Sequence, residues 1–255
     1  MNEVRVYKKM IRKLGYKNDQ QGIINRYLRE KGQWDTHLLR CREYILDSIE
    51  CHKPDIVTFL GSGWLLDIPL EEVQDKCNRI NLVDLMHPSQ VKHITGSVRK
   101  VKLYEEDLTG GALSAIWDGY TRDIDISNIE IPLYEPLFDA GLVFSINVLT
   151  QLDSLPADFL ARKTKMTTKE ISKLRQAIQR AHIRYLKNID SILITDYIEH
   201  LRTENKIIES NDLVFIHLPH GQRIEEWTWE FDNSGNYYRG KRVEFGVKAV
   251  DMVKD

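Results

Sequence analysis

The sequence predicts an α/β fold with a doubly wound, mostly parallel sheet that ends in an antiparallel hairpin, preceded by a helical segment. Three observations predict it. Several short runs are almost continuously apolar rather than alternating, as strands buried on both faces are. The intervals between those runs are long enough for crossover helices. Near the end of the chain, two strand-like segments, Glu226–Phe231 and Val243–Val250, flank Asp232-Asn-Ser-Gly-Asn236, where Asn233 and Gly235 tolerate the positive φ of a tight turn.

The first ~53 residues read as helical. Ile24, Tyr27 and Leu28 suit one helix, and Leu38, Leu39, Tyr44, Ile45 and Ile49 suit another; Gly15, Gly22 and Gly32 punctuate them. This segment, 1–53, is expected to be a cover rather than an independent domain, with the α/β body at 54–255. Ile56–Leu60 is the first buried run and stops at glycine; Ile80–Asp84 is the second, Val98–Leu103 the third, Leu142–Asn147 the fourth and Ser191–Asp196 the fifth. Insertions are expected near 108–138 and 154–190. In the latter, Thr167-x-x-Glu170 is a capping box, followed by an apolar stripe at Ile171, Leu174, Ile178, Ala181 and Tyr185.

The 255 residues are 42% hydrophobic and 29% charged, a globular profile, with a formal net charge of −2. That balance argues against bulk nucleic-acid binding, which wants a basic excess. It conceals local asymmetry: 1–53 carries +5, 104–139 carries −8 and 159–190 carries +7. One of these segments lining a cleft would bias it by charge. No apolar run approaches the ~20 residues of a membrane helix, and the N-terminus has no signal-peptide core. Cys41, Cys51 and Cys77 are odd in number and form no C-x-x-C pair, so neither a disulfide framework nor a metal centre is expected and a cytoplasmic location is.

The chemistry concentrates at strand ends. Gly61-Ser62-Gly63 follows the first strand, where glycine permits a sharp turn and close approach to a ligand. Asp84 closes the second strand 21 residues after Gly63, at a spacing where a carboxylate accepts from ribose hydroxyls; a strand or helix cap is the plainer reading. Asp107 follows the third strand and is placed to accept from an adenine amino group, or is one acid in an acidic loop. Ser145 and Asn147 end the fourth strand, facing the switch-point crevice of an open α/β sheet, although Asn147 equally suits a helix cap.

The order LGSG (60–63), NLVD (81–84), EEDL (105–108), FSINVLTQL (144–152) and the terminal hairpin resembles class I S-adenosylmethionine-dependent methyltransferases, over roughly residues 55–250. The resemblance implies a Rossmann-like, seven-stranded sheet whose last strand is antiparallel. It also implies S-adenosyl-L-methionine as cofactor, held by Gly61, Ser62 and Gly63, by Asp84 with Leu85, by Asp107 with Leu108, and at Ser145 and Asn147. The sequence departs from the family at Phe59, where an acid is frequent, and at Leu65, where a third glycine is usual; Trp64 is bulky beside Gly63.

The expected activity is methyl transfer to a small-molecule or protein acceptor. A catalytically inactive binding or regulatory protein of the same fold, and an NAD-dependent oxidoreductase, are the alternatives; the hairpin and the lack of a full Gly-x-Gly-x-x-Gly argue against the latter. Asp196, Tyr197, His200 and His87 are titratable groups near strand ends, but no spacing singles one out as catalytic. His217-Leu-Pro-His220 reads as a loop rather than a metal site. Trp227 and Trp229 share a strand face and read as packing rather than as a base-stacking platform. The sequence does not specify the oligomeric state.

Overall fold

A computed structural model describes residues 3–122, 124–126, 129–203 and 206–254. Residues 1–2 and 255 at the chain ends, and 123 and 127–128 of the expected first insertion, lie outside the described residues. Helices α1 (Glu3–Leu14), α2 (Tyr16–Arg29) and α3 (Asp35–His52) come first. Then β1 (Ile56–Leu60), α4 (Leu70–Lys76), β2 (Arg79–Asp84), α5 (Ser89–Thr95), β3 (Val101–Glu105), α6 (Ala112–Arg122) and β4 (Leu142–Ile146) alternate. The chain continues through α7 (Gln151–Lys163), α8 (Thr168–Lys187), β5 (Ser191–Thr203), β6 (Lys206–Asp212), β7 (Ile224–Asp232) and β8 (Arg242–Asp251).

The sheet order is β3-β2-β1-β4-β5-β8-β7, with β6 pairing β5 off this path. The pairs β1–β2, β1–β4, β2–β3 and β4–β5 are parallel. β8 runs antiparallel to both β5 and β7. The fold is therefore the mostly parallel, Rossmann-like sheet with an antiparallel last strand that the resemblance implies. Among the described residues it has eight strands rather than seven. β5 runs on to Thr203, well past the register with β4, which ends at Ile146↔Ile194; β6 then occupies the edge of β5 from Ile198 onward.

The core lies on both faces of the sheet, which explains the unbroken apolar runs. Val57, Phe59, Ile80, Leu82, Phe144 and Ile192 pack beneath α3 and α4 and against the hairpin residues Trp229, Phe231 and Phe245. Leu60, Val83, Val143 and Leu193 face the other way, onto α1, α6, α7 and α8. The capping box forms: Thr167 Oγ1 accepts from the Glu170 amide at 3.3 Å, and Glu170 Oε2 accepts from the Thr167 amide at 2.7 Å. The expected apolar stripe on α8 is buried. Leu28 and Leu39, assigned to helical faces by spacing, are exposed. Among the described residues no helix is long and apolar enough to cross a membrane.

The N-terminal helices are stitched to the C-terminal hairpin. Trp34 Nε1 donates to the Phe231 carbonyl at 3.0 Å, Arg29 pairs with Asp232 at 3.1 Å, and Tyr44 donates to the Arg223 carbonyl at 2.8 Å. His52 and Asp251 lie 2.7 Å apart. This clasp holds α3 on its face of the sheet and sets α2 over the carboxyl ends of the parallel strands.

Candidate functional site

A cavity opens where the strand order reverses about β1, at the end of the sheet where open α/β folds place ligands. Gly61, Ser62, Gly63, Asp84, Leu85, Asp107, Leu108 and Asn147 all line it. Ser145 does not. Its side chain is fully buried beneath α8, with Oγ 2.9 Å from Nε2 of His182. Every residue of β4 is buried, so the apolar run alone leaves the facing of Ser145 undetermined.

The glycine loop is built by its conformations and by one carboxylate. Gly61 has φ +78° and Gly63 φ +45°, in the left-handed region where side chains are strained. A Cβ on Gly61 would stand 2.7 Å from Val148 Cβ. The Gly63 amide donates to Asp84 Oδ2 at 2.8 Å, and the Met86 amide approaches Oδ1 at 3.4 Å. Burial pushes the Asp84 carboxyl up, and the Gly63 amide opposes that shift. Asp84 thus holds the loop as well as facing the cavity.

Asp107 has a similar double aspect. Its Oδ1 accepts from the Thr109 amide at 2.9 Å and from the Thr109 hydroxyl at 2.5 Å, while Thr109 Oγ1 accepts from the Leu113 amide at the start of α6. Its Oδ2 is buried and has no partner among the described residues. Burial pushes this carboxyl up as well, with Thr109 opposing. The Oγ of Ser62 and the Oδ1 of Asn147 are likewise buried without partners. Orphaned buried polar atoms are costly, and all three of these line the cavity. Asn147 itself sits at φ +47°.

The two family departures have distinct fates. Phe59 is fully buried and stacks on Phe144 at 5.1 Å, away from the cavity. Leu65 adopts φ +61°, the conformation for which a glycine is suited, so the backbone keeps a glycine-like path without the glycine. Trp64 does not block the loop: its indole N–H donates to the Gln20 carbonyl at 2.7 Å and its ring lines the cavity.

Sequence reasoning missed the roof and one wall. Tyr16, Asp19, Gln20 and Ile23 of α2 close over the cavity, and Gln20 Nε2 donates to the Met86 carbonyl at 2.9 Å. Trp34, Trp229 and Asp67 form the wall. The only available signal was the Trp227/Trp229 pair, whose packing partner turns out to be His37. Trp229 stacks on that imidazole at 4.0 Å between centroids, and Trp227 Nε1 donates to its Nδ1 at 3.0 Å.

His37, Cys41 and Asp67 offer ligand atoms within 4.8 Å of one another. Because an indole N–H only donates, the Trp227 bond keeps the ring proton on Nε2, the nitrogen 3.2 Å from Asp67 and 3.7 Å from Cys41 Sγ. Burial pushes the Cys41 thiol up. A metal on Nε2 would need that nitrogen bare, and the Trp227 bond to Nδ1 opposes this tautomer.

Of the four titratable candidates near strand ends, none lines the cavity. Asp196 is buried, accepts from the Thr150 hydroxyl at 2.7 Å, and is pushed up to about 6 by burial. His87 lies 3.1 Å from the Tyr104 carbonyl, His200 lies 2.8 Å from Ser210 Oγ, and Tyr197 donates to Glu226 at 3.3 Å. His217 and His220 lie in the loop between β6 and β7, and His220 is exposed.

No family model and no curated protein matches the chain. Among solved structures, it is similar to the methyltransferase domain of bacterial CtHen1, at 11% identity over 83% of this chain and 97% of that one, with TM-score 0.34. It is similar to the N-methyltransferase NodS from Bradyrhizobium japonicum WM9 in complex with S-adenosyl-L-homocysteine, at 12% identity over 95% and 97%, with TM-score 0.40. It is also similar to DhpI in a complex with SAH, at 12% identity over 91% and 98%, with TM-score 0.29. At this distance the likeness is one of outline, and the fold assignment rests on the strand order: a class I methyltransferase-type sheet, with β8 antiparallel between β5 and β7.

Proposed function

We propose that the protein binds S-adenosyl-L-methionine and transfers its methyl group to a small-molecule acceptor. The observation that carries this reading is the convergence, in one cavity, of the Gly61–Gly63 turn, the Asp84 carboxylate and the unpartnered Oδ2 of Asp107. The donor set fits the group. Asp84 suits ribose hydroxyls, Asp107 Oδ2 suits an exocyclic amino group, and Leu85 and Leu108 supply apolar walls for a purine. Ser62 and Asn147 offer unpaired polar atoms near the glycine turn, where the amino-acid part of the cofactor would lie.

When bound, the cofactor supplies an electrophilic methyl on a sulfonium. The chain's own task is to hold the acceptor in line with that methyl and to keep water away. Positioning of this kind contributes several kcal/mol to a displacement. The roof formed by Tyr16, Gln20 and Ile23 supports both tasks. A cytoplasmic setting agrees with the three free cysteines.

Isothermal calorimetry with S-adenosylmethionine, S-adenosylhomocysteine and NAD tests the reading. Micromolar binding of the first two is expected. Tight NAD binding with no heat from the sulfonium compound would overturn it. Binding without turnover across a broad acceptor panel would favour a regulatory protein that keeps the fold.

A further inference from the structure

One wall of the cavity is both charged and aromatic, and the cofactor contacts proposed above leave it free. Asp67, in the turn after β1, lines the cavity and lies 3.2 Å from Nε2 of His37. The Trp227 indole fixes the His37 proton on that nitrogen, so the imidazole donates to the carboxylate. His37 is 1% exposed and stacks against Trp229 with rings 5° from parallel. Trp229 meets Trp34 edge-on at 4.8 Å, and both indoles line the cavity. Three separate elements, α3, β7 and the β1 turn, thus lock one carboxylate and two rings into place.

The charge of the lining has a single sign. Asp19, Asp67, Asp84, Glu106 and Asp107 contribute to it, and among the described residues no Lys, Arg or His does. Asp84 and Asp107 have roles with the cofactor, and Glu106 accepts from the Tyr134 hydroxyl. Asp19 and Asp67 are left to face whatever enters beside it. Trp229 on this wall is 8% exposed and keeps an unpartnered Nε1. A phosphate or carboxylate entering here would meet like charge in a poorly solvated space. A cation gains from the carboxylates, beside a buried aromatic wall that keeps water away.

We propose that the methyl acceptor is the nitrogen of a small, protonatable amine, drawn in by Asp19 and Asp67 and enclosed by Trp34 and Trp229. This rests on the methyl-transfer reading. The amine enters as an ammonium and gives its proton to the Asp67 carboxylate, which passes it to solvent. The freed nitrogen lone pair forms the N–C bond as the C–S bond breaks, and the bonding electrons remain on sulfur as a neutral thioether. The product is an ammonium with one more methyl group. The bonds from Trp64 to Gln20 and from Gln20 to Met86 tie the roof down, which favours a small amine over one on a protein chain.

The test is a titration of the full chain without cofactor, read by tryptophan fluorescence, since three of its five tryptophans line the cavity. The probes are phenethylamine, cyclohexylamine and spermidine, against 2-phenylethanol, cyclohexanol and phenylacetate, with Gly-Lys-Gly as the peptide arm. At least one amine is expected to bind roughly tenfold or more tightly than its uncharged counterpart, and phenylacetate not at all. Asp67→Asn is expected to lose about tenfold for the amine while S-adenosylhomocysteine binding, followed by calorimetry, is unchanged. Asp19→Asn, on a different element, is expected to weaken the amine in the same direction. The proposal is overturned if no amine outbinds its uncharged counterpart, if phenylacetate binds best, or if both variants bind amine normally; a tripeptide that outbinds every free amine overturns the small-molecule assignment. Amine binding with no S-adenosylhomocysteine binding sinks the methyl-transfer reading instead, so the two failures are distinct.

Discussion

The backbone amide of Gly63 donates to the Asp84 carboxylate at 2.8 Å, so the residue expected to grip the ribose also anchors the turn beside it. Asp84→Ala removes both functions. S-adenosylhomocysteine affinity is expected to fall about 10- to 100-fold, the loss of a charge-assisted bond worth roughly 1.5–3 kcal/mol. Calorimetric titration of wild type and variant measures it. Unchanged affinity would leave Asp84 as a loop anchor alone.

Gly61 and Gly63 are both at positive φ, yet they are not equivalent. Gly61→Ala combines strain at φ +78° with a Cβ only 2.7 Å from Val148 Cβ, so a loss of about 2–4 kcal/mol is expected. Gly63→Ala meets nothing closer than the Gly61 carbonyl at 3.8 Å, and conformational strain alone predicts about 1 kcal/mol. Urea midpoints at constant m-value rank the two.

Asn147 separates conformation from chemistry. At φ +47°, Asn147→Ala is expected to cost about 1 kcal/mol, whereas Asn147→Gly enters the same backbone state without strain and keeps wild-type stability. Both remove the unpartnered amide oxygen, so both are expected to weaken S-adenosylhomocysteine. Denaturation combined with calorimetry shows whether the two effects come apart in this way.

The pairing of His182 with Ser145 predicts a pH dependence of stability. Burial holds the His182 imidazole down at about 4, against 6.5 when unfolded. Its folded pKa is depressed, so the unfolded chain takes up the proton first as pH falls. Its contribution is full above about pH 6.5 and is lost progressively down to about 4, on the order of 3 kcal/mol. His182→Gln is expected to flatten the stability profile across this window. A profile as steep as that of the wild type would assign the slope to other groups.

The parallel strands were legible because burial on both faces leaves an apolar run that few other structures produce. The same property hid the facing of Ser145, since an unbroken run carries no alternation. β6 was invisible for the opposite reason: most residues of Lys206–Asp212 are exposed, so no face is marked as apolar. Asp84 and Asp107 could be found because their positions follow from chain spacing. Asp19 and Trp34 could not, because only the docking of the N-terminal helices onto a distant hairpin brings them to the cavity; Asp67 lies four residues past Gly63 but sits in no pattern that marks it. Tyr197 and His200, at a predicted strand end, fell far from the cavity because β5 continues past it.

The clasp between the chain's beginning and its end has a kinetic meaning. The Trp34–Phe231 bond closes a separation of 197 residues, and the cavity wall depends on it. Contacts so remote in sequence carry a loop-closure cost before they bring any gain. During synthesis the glycine turn and both cofactor acids can assemble while the hairpin is still unmade. The wall of Trp34 and Trp229 cannot, so it is completed only once the C-terminal hairpin has been made.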